Sequence, residues 1–139
     1  MTDTPEILEK MKAVAEWLGH LGLNHTFREF ERFRRAEPVI LFAALARHAI
    51  TARGLHVMQY KRDWVPNHIA VYREKDQNPC VLMSKVQIYE IGDALSEAHA
   101  VIEAINEVRL MELADKLKKR RAELDAQGIK RSSKEELLG

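Results

Sequence analysis

The sequence predicts an α+β fold in which three helices precede a three-stranded antiparallel sheet and one long helix, in the order αααβββα. Apolar residues recur at helical spacing through residues 5–54. The pattern then changes over residues 55–90, which are rich in β-branched and aromatic side chains. Residues 93–127 contain neither proline nor glycine and keep roughly one apolar face. They therefore predict a single helix of about 35 residues.

The first two helices are bounded by residues that suit helix starts. Pro5 fits the first helical position, and we expect the first helix over residues 5–21. Thr26 and Glu29 have the spacing of a capping box. This spacing predicts that the second helix begins there and covers residues 27–35.

Proline and glycine predict the bounds of the third helix, and a change in the spacing of apolar residues predicts the strands. Pro38 opens the third helix, which closes at Gly54. Its early turns are apolar on all sides, so we expect this helix in the centre of the core. Three strands are expected over residues 55–61, 68–74 and 80–90.

The long helix is the basis for a predicted homodimer. We expect one domain, with a helical and sheet core over residues 1–92, the long helix over 93–127 and a polar tail over 128–139. A 35-residue helix spans roughly 52 Å, whereas a compact chain of this size is roughly 40 Å across. The second half should therefore protrude, and a second copy would cover its apolar side. That side carries Leu110, Leu113, Leu117 and Leu124. The alternative is a kink near Arg109 that folds the second half back.

Composition restricts the environment and the partners. The 22 Lys and Arg residues nearly balance the 21 Asp and Glu residues, for a formal net charge of +1, so an electrostatic partner must be held by local patches. The single cysteine, Cys80, excludes an internal disulfide framework, and the first residues do not have the pattern of a signal peptide. The longest apolar run is far shorter than the ~20 residues that cross a bilayer. We expect a cytoplasmic protein without a membrane partner.

Two groups of basic residues raise the alternative of nucleic-acid binding. The first group shares one side of the second helix, as in a helix-turn-helix, although Glu29 and Glu31 flank it. The second lies near the end of the long helix and is spread around it, and two of its members, Lys119 and Arg121, have an acid four residues away, which favours a solvated helix end. The groups are Arg28, Arg32 and Arg35, and Lys118, Lys119, Arg120 and Arg121.

Alternation along the strands predicts an interaction surface on the sheet. If Leu55, Val57, Ile69 and Val71 face the core, the residues between them share the other face. Tyrosine offers a large amphipathic contact area, so this face is typical of a protein-binding surface, or of a surface on which bases stack. Alternatively, the long helix covers it. The expected members are His56, Met58, Tyr60, His68, Tyr72, Met83, Lys85 and Tyr89.

No motif in the sequence specifies catalysis, a metal or a cofactor. His20 and His25 lie five residues apart across a turn, and no histidine pair has the spacing of a zinc site. The six glycines do not form a phosphate-binding loop. We therefore expect a small non-enzymatic regulatory, adaptor or inhibitor protein without metal or cofactor. It would bind an unidentified protein through the sheet face and the long helix. The alternative is a nucleic-acid-binding regulator, whose affinity would fall steeply with salt.

Overall fold

The computed structural model describes residues 5–62, 65–74, 81–88 and 92–127. Its element order confirms the predicted αααβββα fold. Tyr89, Cys80 and the tail over residues 128–139 lie outside the described residues. The elements are α1 (Pro5–Leu18), α2 (Leu21–Phe33), α3 (Ala36–Ala49) with a short 3₁₀ helix (Ile50–Arg53), β1 (Leu55–Arg62), β2 (Val65–Arg73), β3 (Val81–Gln87) and α4 (Ala94–Gln127).

Helix α2 begins six residues earlier than the capping-box spacing predicted. Its N-cap is His20, whose Nδ1 accepts a hydrogen bond from the backbone N–H of Leu23 at 3.4 Å. Thr26 lies inside the helix, and its hydroxyl donates to the carbonyl of Gly22 at 3.0 Å and is 3.1 Å from that of Leu23. The prediction was wrong because a buried threonine can bond to the preceding turn instead of capping a helix.

Helix α3 packs one side against the core instead of lying at its centre. Val39, Phe42, Ala43 and Ala46 are buried, but Leu41 is 49% exposed. The helix that is enclosed on most sides is the first half of α4, where the buried residues do not follow a single stripe. They are Ala98, Ala100, Val101, Ile102, Ala104, Ile105, Asn106 and Val108.

The sheet is antiparallel with the strand order β1-β2-β3. Strand β2 begins at Val65, three residues before the predicted start, so Pro66 does not break it. A hydrogen bond of 2.8 Å from the Ser84 hydroxyl to the carbonyl of Ala104 connects β3 to α4. Ser84 is buried, so this bond also satisfies its hydroxyl.

Helix α4 has the predicted start and end. Asp93 precedes it, and the Asp93 carboxylate accepts hydrogen bonds from the Leu95 N–H at 3.1 Å and from the Ser96 hydroxyl at 2.8 Å. The described part of the chain divides into two compact units, with the boundary between Arg109 and Leu110. The buried hydrophobic core belongs to the first unit, where the largest fully buried side chains include Phe30, Phe42, Met11, Ile69 and Ile105.

Candidate protein-binding site

The sheet turns one face to the core, and the opposite face is partly covered, since His68 and Ala70 on it are buried. As the alternation predicted, Leu55, Val57, Ile69 and Val71 are all buried in the core. The residues between them stand opposite one another across β1 and β2 on the second face, which we call the tyrosine face. The opposing pairs are His56 with Tyr72, Met58 with Ala70, and Tyr60 with His68.

A pocket of about 550 Å³ opens at the β1 side of this face. We call it the tyrosine pocket. Strand β1 contributes four residues, and the chain around α3 closes the pocket from the side. Its lining consists of His56, Val57, Met58 and Tyr60 from β1, Tyr72 and the following Glu74 from the β2 side, and Arg47 and Thr51 from α3 and the 3₁₀ helix.

The two tyrosines hold each other in place. The hydroxyls of Tyr60 and Tyr72 are 3.1 Å apart and hydrogen-bonded, and the two rings meet edge to face at 6.4 Å. The ring of Tyr60 also stacks on buried His68, with ring centroids 4.9 Å apart. These contacts restrict the rotation of Tyr60, so that side of the pocket is preorganised before a ligand arrives.

Polar groups surround the apolar lining. The Arg47 guanidinium donates through Nη2 to the carbonyl of Val57 at 3.3 Å. Oε1 of Glu74 lies 3.3 Å from Nε2 of His56, within ion-pair distance but without the geometry of a hydrogen bond. The Thr51 hydroxyl donates to the carbonyl of His48 at 2.7 Å. The pocket thus presents a guanidinium and a carboxylate beside its tyrosine rings.

His68, Met83 and Lys85, which were also predicted for this surface, do not line the pocket. His68 is buried, which corrects its prediction as an exposed binding residue, because the ring of Tyr60 stacks on it. Lys85 is exposed and stands opposite Ala70. Met83 is half-buried and packs against the core, which corrects its prediction. The reason is a shift in register between Val71 and Tyr72, which pairs Tyr72 with Leu82 and passes over Met83. Leu82, which is 51% exposed, was not predicted.

The predicted dimer residues are exposed. Between 46% and 61% of each side chain in this set is accessible to solvent. Every residue over 110–127 except Glu112 is exposed. We call the set, Leu110, Leu113, Leu117 and Leu124, the leucine stripe.

Arg28 and Arg32 of α2 are exposed, as are Lys118, Lys119, Arg120 and Arg121 at the end of α4. Arg35 is also exposed, but α2 ends at Phe33 and Arg35 is the N-cap of α3, which corrects its predicted place on the second helix. Arg28 lies on the surface of α2, and the guanidinium groups of Arg32 and Arg35 both lie over the ring of Phe33, at 5.2 Å and 5.6 Å from its centroid. Phe33 is 52% exposed. The sequence did not single out this aromatic residue, because phenylalanines in an amphipathic helix usually face the core.

Searches of the chain and its structure identify no family or ligand. Within the described ranges, no group of three or more His, Cys, Asp or Glu side chains is placed to hold a metal ion. No helix in the same ranges has the length and apolarity needed to cross a membrane. No protein-family model, no curated protein and no solved structure matches this chain.

Proposed function

We propose that this protein acts by binding another protein, and that the tyrosine pocket receives an apolar side chain of that partner. The main support for the proposal is an open pocket of about 550 Å³ that is lined on one side by Tyr60 and Tyr72, whose hydroxyls are hydrogen-bonded to each other. Met58, which is 46% exposed, adds apolar surface to the lining. Protein interfaces commonly obtain most of their affinity from such a small, well-packed group of aromatic residues.

The cost of ordering the pocket supports this role. Tyr60 is already held by its hydrogen bond to Tyr72 and by its stacking on His68, so binding loses little of its side-chain entropy. The unbranched side chain of Met58 can adapt to the shape of the entering group. Arg47 and Glu74 can then orient a partner through its polar groups at the pocket's edge.

The proposed role is regulatory, as an adaptor or an inhibitor, and non-enzymatic. Two hydroxyls in the lining are already engaged, because Tyr60 donates to Tyr72 and Thr51 donates to the His48 carbonyl. The hydroxyl protons of Tyr60 and Thr51 thus serve the fold, which suits a binding surface better than an activated nucleophile. The single cysteine of the sequence supports a cytoplasmic setting.

A second candidate function is nucleic-acid binding through α2. Exposed Phe33 with Arg32 and Arg35 over its ring is the specific observation that favours it, because bases stack on such rings. Exposed Glu29 and Glu31 stand against it, since they would repel a phosphate backbone. The two functions differ in salt dependence, because contacts with several phosphates weaken steeply as ionic strength rises.

Selection of displayed peptides tests the proposed function. Peptides selected on the unmodified protein should lose affinity for Met58→Ala and Tyr60→Ala by about 1–3 kcal/mol, as measured by calorimetry. The matched control is Leu41→Ala, since Leu41 is exposed to nearly the same extent as Met58 but lies on α3, away from the pocket lining.

Thermal unfolding of the same variants separates binding from folding. Truncation of Met58, which is about half exposed to solvent, should change the melting temperature little. Selected peptides that bind Met58→Ala as tightly as the unmodified protein would contradict the proposal. Binding of oligonucleotides that is lost in Phe33→Ala would support the second candidate instead.

A further inference from the structure

The second compact unit carries a seam with the spacing of a coiled coil. The leucine stripe has intervals of three, four and seven residues, and Arg120 fills the position within the last interval. Alternating steps of three and four are the repeat that lets two helices pack along a common seam. All four leucines of the stripe are between 46% and 61% exposed.

We propose that the leucine stripe packs against the same stripe of a second copy of the chain, with the two helices antiparallel. In the register we infer, Leu113 lies opposite Leu124 of the second copy, and Leu117 lies opposite Arg120. Twofold symmetry repeats each contact once. This inference concerns a different surface from the tyrosine pocket and does not rest on the proposed function.

Charge complementarity selects the antiparallel orientation. Lys116 and Glu123 each immediately precede a leucine of the stripe, so they flank the seam on the same edge. In the antiparallel register Lys116 lies beside Glu123 of the second copy, and symmetry gives two such pairs. A parallel pair would instead place Lys116 beside Arg121 of the second copy, which is repulsive.

The position of Arg120 supports the same choice. In a parallel pair the two Arg120 side chains would face each other in one layer of the seam. In the antiparallel register each faces Leu117, against which its methylene stem can pack while the guanidinium reaches solvent. Like charges therefore meet at two positions in the parallel arrangement, but opposite charges meet in the antiparallel one.

Single charge reversals test the orientation. Sedimentation of the unmodified chain at about 100 µM should give the mass of a dimer. Lys116→Glu should weaken dimerisation by about ten-fold if the helices are antiparallel, because two attractive pairs become repulsive. In a parallel dimer the same change would strengthen it, since Glu at that position would meet Arg121.

Two further variants serve as controls. Lys118→Glu makes the same change of charge away from the seam and should leave the dissociation constant within about two-fold. Exchange of the pair, Lys116→Glu with Glu123→Lys, should restore dimerisation. Circular dichroism on each variant verifies that α4 keeps its helix content.

Cysteine cross-linking gives an independent measurement in a Cys80→Ser background. A mixture of Leu113→Cys and Leu124→Cys chains should form a disulfide-linked heterodimer upon oxidation, while each variant alone should form little. Cross-linking of Leu113→Cys with itself would overturn the antiparallel orientation. A monomeric mass for the unmodified chain at about 100 µM would overturn self-association altogether.

Discussion

The two halves of α4 share one continuous helix but differ in their surroundings. Over residues 94–109 half of the side chains are buried, and the half-buried polar residues His99, Glu103 and Glu107 recur every four positions along one side. Over residues 110–127 the leucines occur on a narrow stripe, and each of them is about half exposed. Both halves have an apolar surface. The surface is wide in the half that packs in the core and narrow in the half that carries the leucine stripe, so its width distinguishes the two.

Truncation of one leucine-sized side chain in each half is the largest expected contrast. Ile105 is fully buried, so Ile105→Ala should lower the free energy of unfolding by about 2–5 kcal/mol. Leu117 is 61% exposed, and Leu117→Ala should change it by no more than about 0.5 kcal/mol. Urea denaturation at a few micromolar protein measures both, at a concentration chosen to limit self-association. Equal losses would remove the distinction between the halves.

The hydrogen bond between the sheet and the buried half should have an intermediate effect. Ser84→Ala removes the donor to the Ala104 carbonyl and should cost about 1–2 kcal/mol of unfolding free energy. Lys85→Ala, at the next and exposed position of β3, is the matched control and should be nearly neutral. If Ser84→Ala leaves the free energy of unfolding in urea unchanged, this hydrogen bond contributes little to the packing of the buried half of α4 against the sheet.

The smallest expected effect is a dependence of stability on pH in the buried half. Burial lowers the pKa of His99 from its ordinary value of 6.5, and Nε2 of His99 is buried without a hydrogen-bond partner. The unfolded chain therefore binds a proton at a pH where the folded chain does not. Stability should be complete above about pH 7 and decrease as pH falls below 6.5.

Melting temperatures between about pH 8 and pH 5, a range on both sides of the ordinary histidine pKa, measure this decrease. His99→Gln should reduce the decrease in melting temperature as pH falls. His25→Gln, which changes an exposed histidine of α2, should leave the pH dependence in place. An unchanged profile in His99→Gln would assign the effect to other groups.

The sequence predicted the order of elements because each element has a strong period. It misplaced the start of α2, because Thr26 is followed three residues later by Glu29, as in a capping box. In the structure Thr26 instead lies inside the helix, where its buried hydroxyl donates to the preceding turn. It placed α3 at the centre of the core, because local apolarity does not reveal that Leu41 would face solvent. Tertiary packing decides which of several apolar helices lies in the centre of the core.

The sequence predicted the pocket residues that lie on the strands but not those that lie outside them. Strict alternation identified Tyr60 and Tyr72, whereas Arg47 and Glu74 enter the pocket through the path of the chain around the sheet. No local pattern marks those two residues. Met83 was misassigned for a related reason, since a shift of register between Val71 and Tyr72 breaks the alternation on which the prediction depended.

The hydrogen bond from Arg47 to the Val57 carbonyl has a consequence for aggregation. Strand β1 lies at an edge of the sheet, and unpaired carbonyl groups along such an edge can template the addition of strands from other molecules. The guanidinium occupies one of these carbonyls and places a positive charge beside it. A strand that adds to β1 at Val57 would have to displace Arg47, so one side chain of α3 hinders strand addition at this position of the edge.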